Sequence, residues 1–215
     1  MFVIKTSQRE FSREEIERCA GVLAAGGIGV VPTDTVYGIA ALATSAEAVE
    51  RLMALKRRAA DKPLPVQVAT AWDANLLGVA DGPTAAALIE AFWPGPLTMV
   101  VERRGEVALP FQDSSTIGLR IPASEFCRAL ITTAGYLVVP SANLPGKRPP
   151  VTAGELAGEV LDSVDFVVDA GPCPGGVEST VVDITTGVKV LREGALTSEA
   201  LKKAITGGGS AHGAQ

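Results

Sequence analysis

Ile28-Gly29-Val30-Val31-Pro32-Thr33-Asp34-Thr35-Val36-Tyr37-Gly38 is the stretch on which the fold class turns. Residues 28–31 read as a short buried strand, and Pro32 ends it because proline offers no amide to a sheet ladder. Thr33-Asp34-Thr35 then sets two hydroxyls and a carboxylate just beyond the strand. The arrangement recurs downstream: Ser141-Ala142-Asn143 follows a strand at 137–139, and Arg120 lies within a strand at 117–121. Ligands of open α/β sheets sit in the crevice at strand ends, so these polar strings mark the place to look for a site. Hydroxyls, an amide and guanidinium groups there offer donors to phosphate and carboxylate oxygens.

Between the strands the pattern is helical. Ser12 and Glu15 form a capping box ahead of Ile16, Ala20 and Leu23, and Gly26-Gly27 stops that run. Ser45 caps a second helix with Val49, Leu52, Met53 and Leu55 on its apolar side. It ends in Lys56-Arg57-Arg58, whose charge complements a helix C-terminus. Further helices are expected at 83–92, at 125–132, from a Thr152/Glu155 capping box to about residue 161, and from Ser198. Strands are expected at 64–69, 97–101, 164–168, 179–183 and 188–192. The interleaving implies an α/β domain with one twisted, mixed sheet flanked by helices. Residues 1–205 read as that domain and 206–215 as a flexible Gly-rich tail.

Composition narrows the chemistry. The chain has 215 residues, 47% of them apolar but in short runs, far below the roughly 20 residues of a membrane span. The opening Met1-Phe2-Val3-Ile4-Lys5 turns polar at once, unlike a signal peptide, so a soluble cytoplasmic protein with no membrane partner is expected. Cys19, Cys127 and Cys173 are scattered, which argues against a disulfide framework or a structural zinc site. The first two read as core residues, and Cys173, in a Pro/Gly loop, is expected to be exposed. The single histidine, His212, lies in the tail, so Ser-His-Asp and Cys-His mechanisms have no base and His-ligated zinc catalysis has no ligands. Chemistry must then rest on positioning, charge and metal-bound substrate. A net charge of −5 disfavours coating long nucleic acid. Basic clusters at Lys56-Arg57-Arg58, Lys62, Arg103-Arg104 and Lys147-Arg148 suit a small polyanion. Any one of them alone also reads as a solvated helix end or loop.

The usual nucleotide fingerprints are missing: neither G-x-x-x-x-G-K-[ST] nor a strand-following G-x-G-x-x-G occurs. Gly171-Pro172-Cys173-Pro174-Gly175-Gly176 is glycine-rich, but its prolines remove amides a phosphate nest needs, so it reads as a structural turn. The residues by themselves describe a small-anion site.

Seven strings carry the reading further. They are Pro32–Gly38, Lys56-Arg57-Arg58 with Pro63-Leu64, Trp93-Pro94-Gly95-Pro96-Leu97-Thr98, Gly118-Leu119-Arg120-Ile121-Pro122, Pro140-Ser141-Ala142-Asn143, Ser179-Thr180-Val181-Val182-Asp183 and Leu191-Arg192-Glu193-Gly194. In this order, across roughly residues 10–197, they resemble the YrdC-like family of threonylcarbamoyl-AMP synthases. The resemblance implies an enzyme that forms a carbamate from L-threonine and bicarbonate, then a threonylcarbamoyl-adenylate from ATP, releasing pyrophosphate. Mg²⁺ would accompany the ATP, with no metal ligand from the protein. The product would serve threonylcarbamoyladenosine formation on tRNA beside the anticodon, with downstream threonylcarbamoyl-transfer proteins and tRNA as partners. Nucleotidyl transfer of this kind relies on orientation and charge stabilisation, in keeping with the missing histidine.

Carried over by position, Thr35, Gln67, Arg120, Val139 (through its backbone) and Ser179 would hold threonine. Arg120 would take its carboxylate bidentately. Lys56, Arg58, Lys62, Thr116, Ser141, Asn143 and Arg192 would surround ATP, with Lys56 and Arg58 closest to the chemistry. Ser141 and Asn143 also read as caps of the next turn, Asp34 as a turn-fixing residue, and Tyr37 and Trp93 as packing groups. Gln67 stands where the family often has histidine, and can hydrogen-bond but not titrate. Pro149 replaces a family serine, which removes a hydroxyl and an amide donor, so one ATP contact is either absent or supplied by Lys147 or Arg148. The chain ends soon after the motif set and is expected to lack the second domain of longer relatives, and a related module in hydrogenase maturation proteins is embedded among other domains. The rival from another class is a double-stranded RNA-binding module, which the acidic total argues against while Arg57, Arg103 and Arg148 leave a basic rim.

Overall fold

Alternation along the strands divides the core into two layers. Val30 and Val167 face one cluster with Leu52, Leu88 and Leu201, while their neighbours Val31, Phe166 and Val168 face another with Leu23, Phe126 and Leu130. Successive strand residues point to opposite faces, so a sheet buried on both sides needs apolar residues at nearly every position. The computed structural model describes residues 1–58, 64–111 and 114–207. The expected strings at Lys62 and Pro63, and the tail from 208 to 215, lie outside the described residues.

The strands are β1 (Phe2–Lys5), β2 (Ile28–Val31), β3 (Gly38–Leu42), β4 (Val66–Gln67), β5 (Gly78–Val79), β6 (Leu97–Arg103), β7 (Thr116–Arg120), β8 (Leu137–Val138), β9 (Phe166–Asp169), β10 (Thr180–Asp183) and β11 (Lys189–Arg192). They form one mixed sheet in the order β1-β9-β2-β3-β8-β4-β7-β6-β10-β11, with β5 added beside β6. The helices are α1 (Arg13–Ala24), α2 (Ala46–Leu55), α3 (Ala71–Leu77), α4 (Gly82–Phe92), α5 (Glu125–Ala134), α6 (Gly158–Ser163) and α7 (Ser198–Gly207). Apolar side chains of α1 and α5 meet over one face, and those of α2, α4 and α7 cover the other. This is the α/β class with a single twisted, mixed sheet that the sequence led us to expect.

Local chemistry sets the helix starts. Ser12 accepts from the Glu15 amide while the Glu15 carboxylate accepts from the Ser12 amide. Ser45 and Ser124 cap α2 and α5 in the simpler way. The Thr152/Glu155 pair behaves differently from a capping box. Glu155 instead accepts from the Val151 amide at 2.7 Å, Thr152 makes no side-chain cap bond, and only a 3₁₀ turn (Ala153–Glu155) forms. Leu156 and Ala157 are extended, so the next helix starts at Gly158.

Four elements carried little signal. β3 is built largely of small residues, β1 and β5 are short, and α3 spans seven residues capped by a Thr70/Asp73 box with Trp72 72% exposed. Tyr37 and Trp93 are buried, and each polar tip is satisfied: Tyr37 Oη donates to the Gly171 carbonyl at 2.7 Å, and the Trp93 indole donates to the Leu97 carbonyl at 2.7 Å. Cys19 and Cys127 are core residues. Cys173 is buried as well, against expectation, because its loop folds down onto the Thr33–Thr35 turn, with Gly175 and Gly176 donating to the Asp34 and Thr35 carbonyls. Among the described residues, no helix is long and apolar enough to cross a membrane.

Candidate active site

Four adjacent strands lay a polar row across the sheet. β4 runs beside β7 with Gln67 opposite Arg120. The β6–β7 register ends at Met99 opposite Leu119, so Thr98 and Arg120 come next at the same end. On the far side of β6, Val181 of β10 lies beside Thr98, and Ser179 precedes the strand. Gln67, Arg120, Thr98 and Ser179 are all buried and all line one cavity of about 300 Å³. That volume suits a small ligand.

Arg120 anchors this wall. Its Nη2 donates to Asp34 Oδ1 at 2.7 Å, and Nη1 and Nη2 both reach Thr35 Oγ1 at 3.2 Å. Its Nε donates to the Gly95 carbonyl at 3.1 Å. Asp34 Oδ1 also accepts from the Ala123 amide at 3.0 Å. The guanidinium has five N–H groups, and one on Nη1 has no acceptor among the described residues. The bidentate fork expected from the sequence is therefore largely engaged by the protein itself, with one edge left toward the cavity. Thr33 donates to the Val36 carbonyl at 2.7 Å, so across its 2.9 Å contact with Thr35 it is Thr35 that donates. Asp34 thus does more than fix the turn: it holds the arginine.

The opposite wall is cationic. Lys56, Arg58 and Arg192 line the cavity together with Glu178. The Lys56 ammonium crosses from the end of α2 to the carbonyls of Ser141 (2.6 Å) and Asn143, and to Asn143 Oδ1 at 3.1 Å. It is therefore no simple helix-end charge. Burial lowers it to about 8; Glu178 opposes that shift and Arg58 adds to it. Burial likewise lowers Arg58, with repulsion from Arg192 next in size. Arg192 Nη2 donates to the Ser179 carbonyl at 2.9 Å and to Ser179 Oγ at 3.3 Å, and Nη1 lies 3.6 Å from Glu178 Oε1. Among the described residues three cations face one carboxylate in this wall, a balance that favours a polyanion.

The structure brings Thr35, Lys56, Arg58, Gln67, Thr116, Arg120, Val139, Ser141, Ser179 and Arg192 to the cavity wall. Asn143 stands behind the wall as a partner of Lys56, and its amide also donates to the Lys147 carbonyl at 2.7 Å, so the turn-capping reading holds as well. The Gln67 carboxamide lies between the Val139 carbonyl and the Cys127 thiol, each 3.5 Å away. Burial pushes the Cys127 thiol up to about 12 and the Cys173 thiol to about 11, so both stay protonated at neutral pH and are poor nucleophiles.

Sequence reasoning missed Thr98 and Glu178, and named Thr33 only as part of a polar string without a role. Thr98 stood at the end of a quoted string and Glu178 directly before Ser179, but an alternating strand gives no sign of which residue faces a ligand. Two glycines allow the walls to close. A Cβ on Gly175 would lie 2.7 Å from the Asp34 carbonyl oxygen, and one on Gly194 would collide with the backbone of Glu178 and Ser179.

Removing the Asp34 carboxylate would leave Arg120 buried beside the apolar core. The Asp34→Ala variant is expected to lose about 3–5 kcal/mol of stability in urea unfolding with an unchanged m-value.

Comparison with known proteins agrees with this geometry. The Sua5/YciO/YrdC family model, described as "Telomere recombination", matches residues 21–194. The threonylcarbamoyl-AMP synthase of Pyrococcus abyssi is 34% identical over 208 residues, covering 95% of this chain and 61% of that protein. The threonylcarbamoyl-AMP synthase of Bacillus subtilis is 33% identical over 211 residues, covering 95% and 60%. The crystal structure of P. abyssi Sua5 complexed with L-threonine superposes with a TM-score of 0.87 at 32% identity, over 95% of this chain and 61% of that one. The chain thus spans about three-fifths of the length of these relatives. With the family model matched over most of its length, and relatives at about a third identity sharing the fold, the chain belongs to the Sua5/YciO/YrdC family.

Proposed function

We propose that this chain is a threonylcarbamoyl-AMP synthase: the L-threonine amine adds to bicarbonate with loss of water to give a carbamate, and a carbamate oxygen attacks the α-phosphate of ATP and expels pyrophosphate. The observation that carries the reading is the pairing, within one cavity, of a buried Arg120–Thr98–Ser179 row with a cationic wall of Lys56, Arg58 and Arg192. One side suits a small carboxylate and the other a polyphosphate. Relatives named for this activity, and a neighbour crystallised with L-threonine, share the fold at about a third identity. The RNA-binding rival gains no support from them. The product would serve threonylcarbamoyladenosine formation on tRNA through downstream transfer proteins.

In this reading Arg120 and Ser179 hold the threonine carboxylate, and Gln67 and the Val139 carbonyl border the amino group. Arg58 and Arg192 neutralise the phosphates, while Lys56 braces the 141–143 segment and adds its charge. Fixing both substrates in one cavity supplies the orientation that an in-line displacement needs. Among the described residues no three acidic, histidine or cysteine side chains gather to hold a metal. We take Mg²⁺ to arrive on the triphosphate, where it would supply charge neutralisation. Lys62 remains a candidate ATP contact.

Incubation with ATP, Mg²⁺, bicarbonate and L-threonine is expected to release pyrophosphate and threonylcarbamoyl-adenylate; no threonine-dependent pyrophosphate would refute the proposal. Arg120→Ala should weaken threonine use and Arg58→Ala should weaken ATP use, each by about tenfold or more, in steady-state kinetics. The lowered Lys56 adds a pH signature. Because its ammonium deprotonates near pH 8, the cavity loses a positive charge as pH rises through that value. ATP affinity should therefore fall as pH climbs past 8, and calorimetry on Lys56→Met should lack that inflection.

A further inference from the structure

We infer that Thr98 is a positioning residue, which fixes the Ser179 hydroxyl as a hydrogen-bond donor aimed at the carboxylate of the amino-acid substrate. The inference rests on the proposed reaction and adds a residue to its site.

The argument is one of proton allocation. Thr98 is only 1% exposed, and among the described residues its hydroxyl has one partner, Ser179 Oγ, at 2.9 Å. A hydroxyl carries one proton and two lone pairs. If Ser179 donated to Thr98, the Thr98 proton would be left with no protein acceptor in a buried position, which is unfavourable. Thr98 therefore donates. Ser179 Oγ also accepts from Arg192 Nη2 at 3.3 Å, and a guanidinium can only donate. Both Ser179 lone pairs are then engaged, and its own proton has no acceptor among the described residues. Ser179 lines the cavity, so that proton faces the ligand.

Polarity then selects the ligand group. A hydroxyl that can only donate, near an Arg120 N–H that also lacks an acceptor, excludes an ammonium or another donor and favours an anionic oxygen. The strand register brings the two to the same end of the sheet, with Thr98 on β6 between Arg120 on β7 and Ser179 at the start of β10. The Arg192 contact also ties Ser179 to the cationic wall, so the carboxylate donor and the phosphate wall share one atom.

The test is calorimetric titration of L-threonine, and separately of ATP, into the full chain and its Thr98→Val, Thr98→Ser, Ser179→Ala and Thr98→Val/Ser179→Ala variants. Thr98→Val keeps the shape and removes the donor; it should weaken threonine about tenfold, with Thr98→Ser restoring affinity. ATP affinity should stay within about twofold in Thr98→Val and Thr98→Ser, which a merely destabilised fold would not allow. The double variant should match Ser179→Ala, because Thr98 acts only through Ser179. An unchanged threonine affinity in Thr98→Val overturns the inference. Additive losses in the double variant overturn it too, since Thr98 would then touch the ligand itself. A wild-type chain that binds no threonine overturns the proposed reaction as well, and is told apart by that result alone.

Discussion

The site depends on one buried ion pair. Arg120 and Asp34 sit 2.7 Å apart with side chains only 6% and 11% exposed. Two charges out of water are tolerable only when their remaining hydrogen-bonding capacity is met. Here Thr35, the Gly95 carbonyl and the Ala123 amide meet part of it, while Asp34 Oδ2 and one Arg120 N–H have no partner among the described residues. Each of those groups comes from a different part of the chain. The pair therefore draws together the turn after β2, the loop before β6, the end of β7 and the start of α5. A guanidinium held on so many edges has little freedom to swing, which makes its remaining edge a fixed feature of the cavity.

The second wall obeys the opposite logic. Lys56, Arg58 and Arg192 repel one another across a half-buried space, and Glu178 offsets only part of that. Such a cluster is held by backbone carbonyls and by packing, and it is relieved when an anion arrives. One wall is electrostatically closed and the other electrostatically hungry. A site with this division can bind and orient an anionic ligand by fixed charge alone, with no titrating histidine in its wall.

Much of this was legible in the sequence, and the gaps have physical causes. Strand–turn strings such as Val30-Val31-Pro32-Thr33 announce themselves through a sharp change from apolar to polar residues, and serine caps mark the helices. Arg120 was singled out because a charge inside an apolar strand demands a partner. Its actual partners were beyond reach, since Asp34 and Gly95 approach it only through pairing of distant strands. Lys56 looked like a helix-end charge because its partners, Ser141 and Asn143, lie 85 and 87 residues away. Thr98 read as an ordinary strand residue, and only the order β7-β6-β10 turns it into a neighbour of Ser179. The short helix α3 and the two-residue strands fall below the length at which periodicity speaks.

The placement of β9 has a consequence for how the molecule comes into being. Among the described residues β1 pairs only with β9, which also separates it from β2, so strands made earlier wait for one made much later. The Thr33–Thr35 turn waits in the same way, because its carbonyls are claimed by the Gly175 and Gly176 amides. Contacts of such long sequence separation form late, since loop closure must precede their reward. On the ribosome, the earliest hydroxyls of the site emerge first and are locked in last. A nascent chain released early carries Thr35, Lys56 and Arg120 but neither Ser179 nor Arg192, so the cavity arrives with the completed sheet and not by degrees.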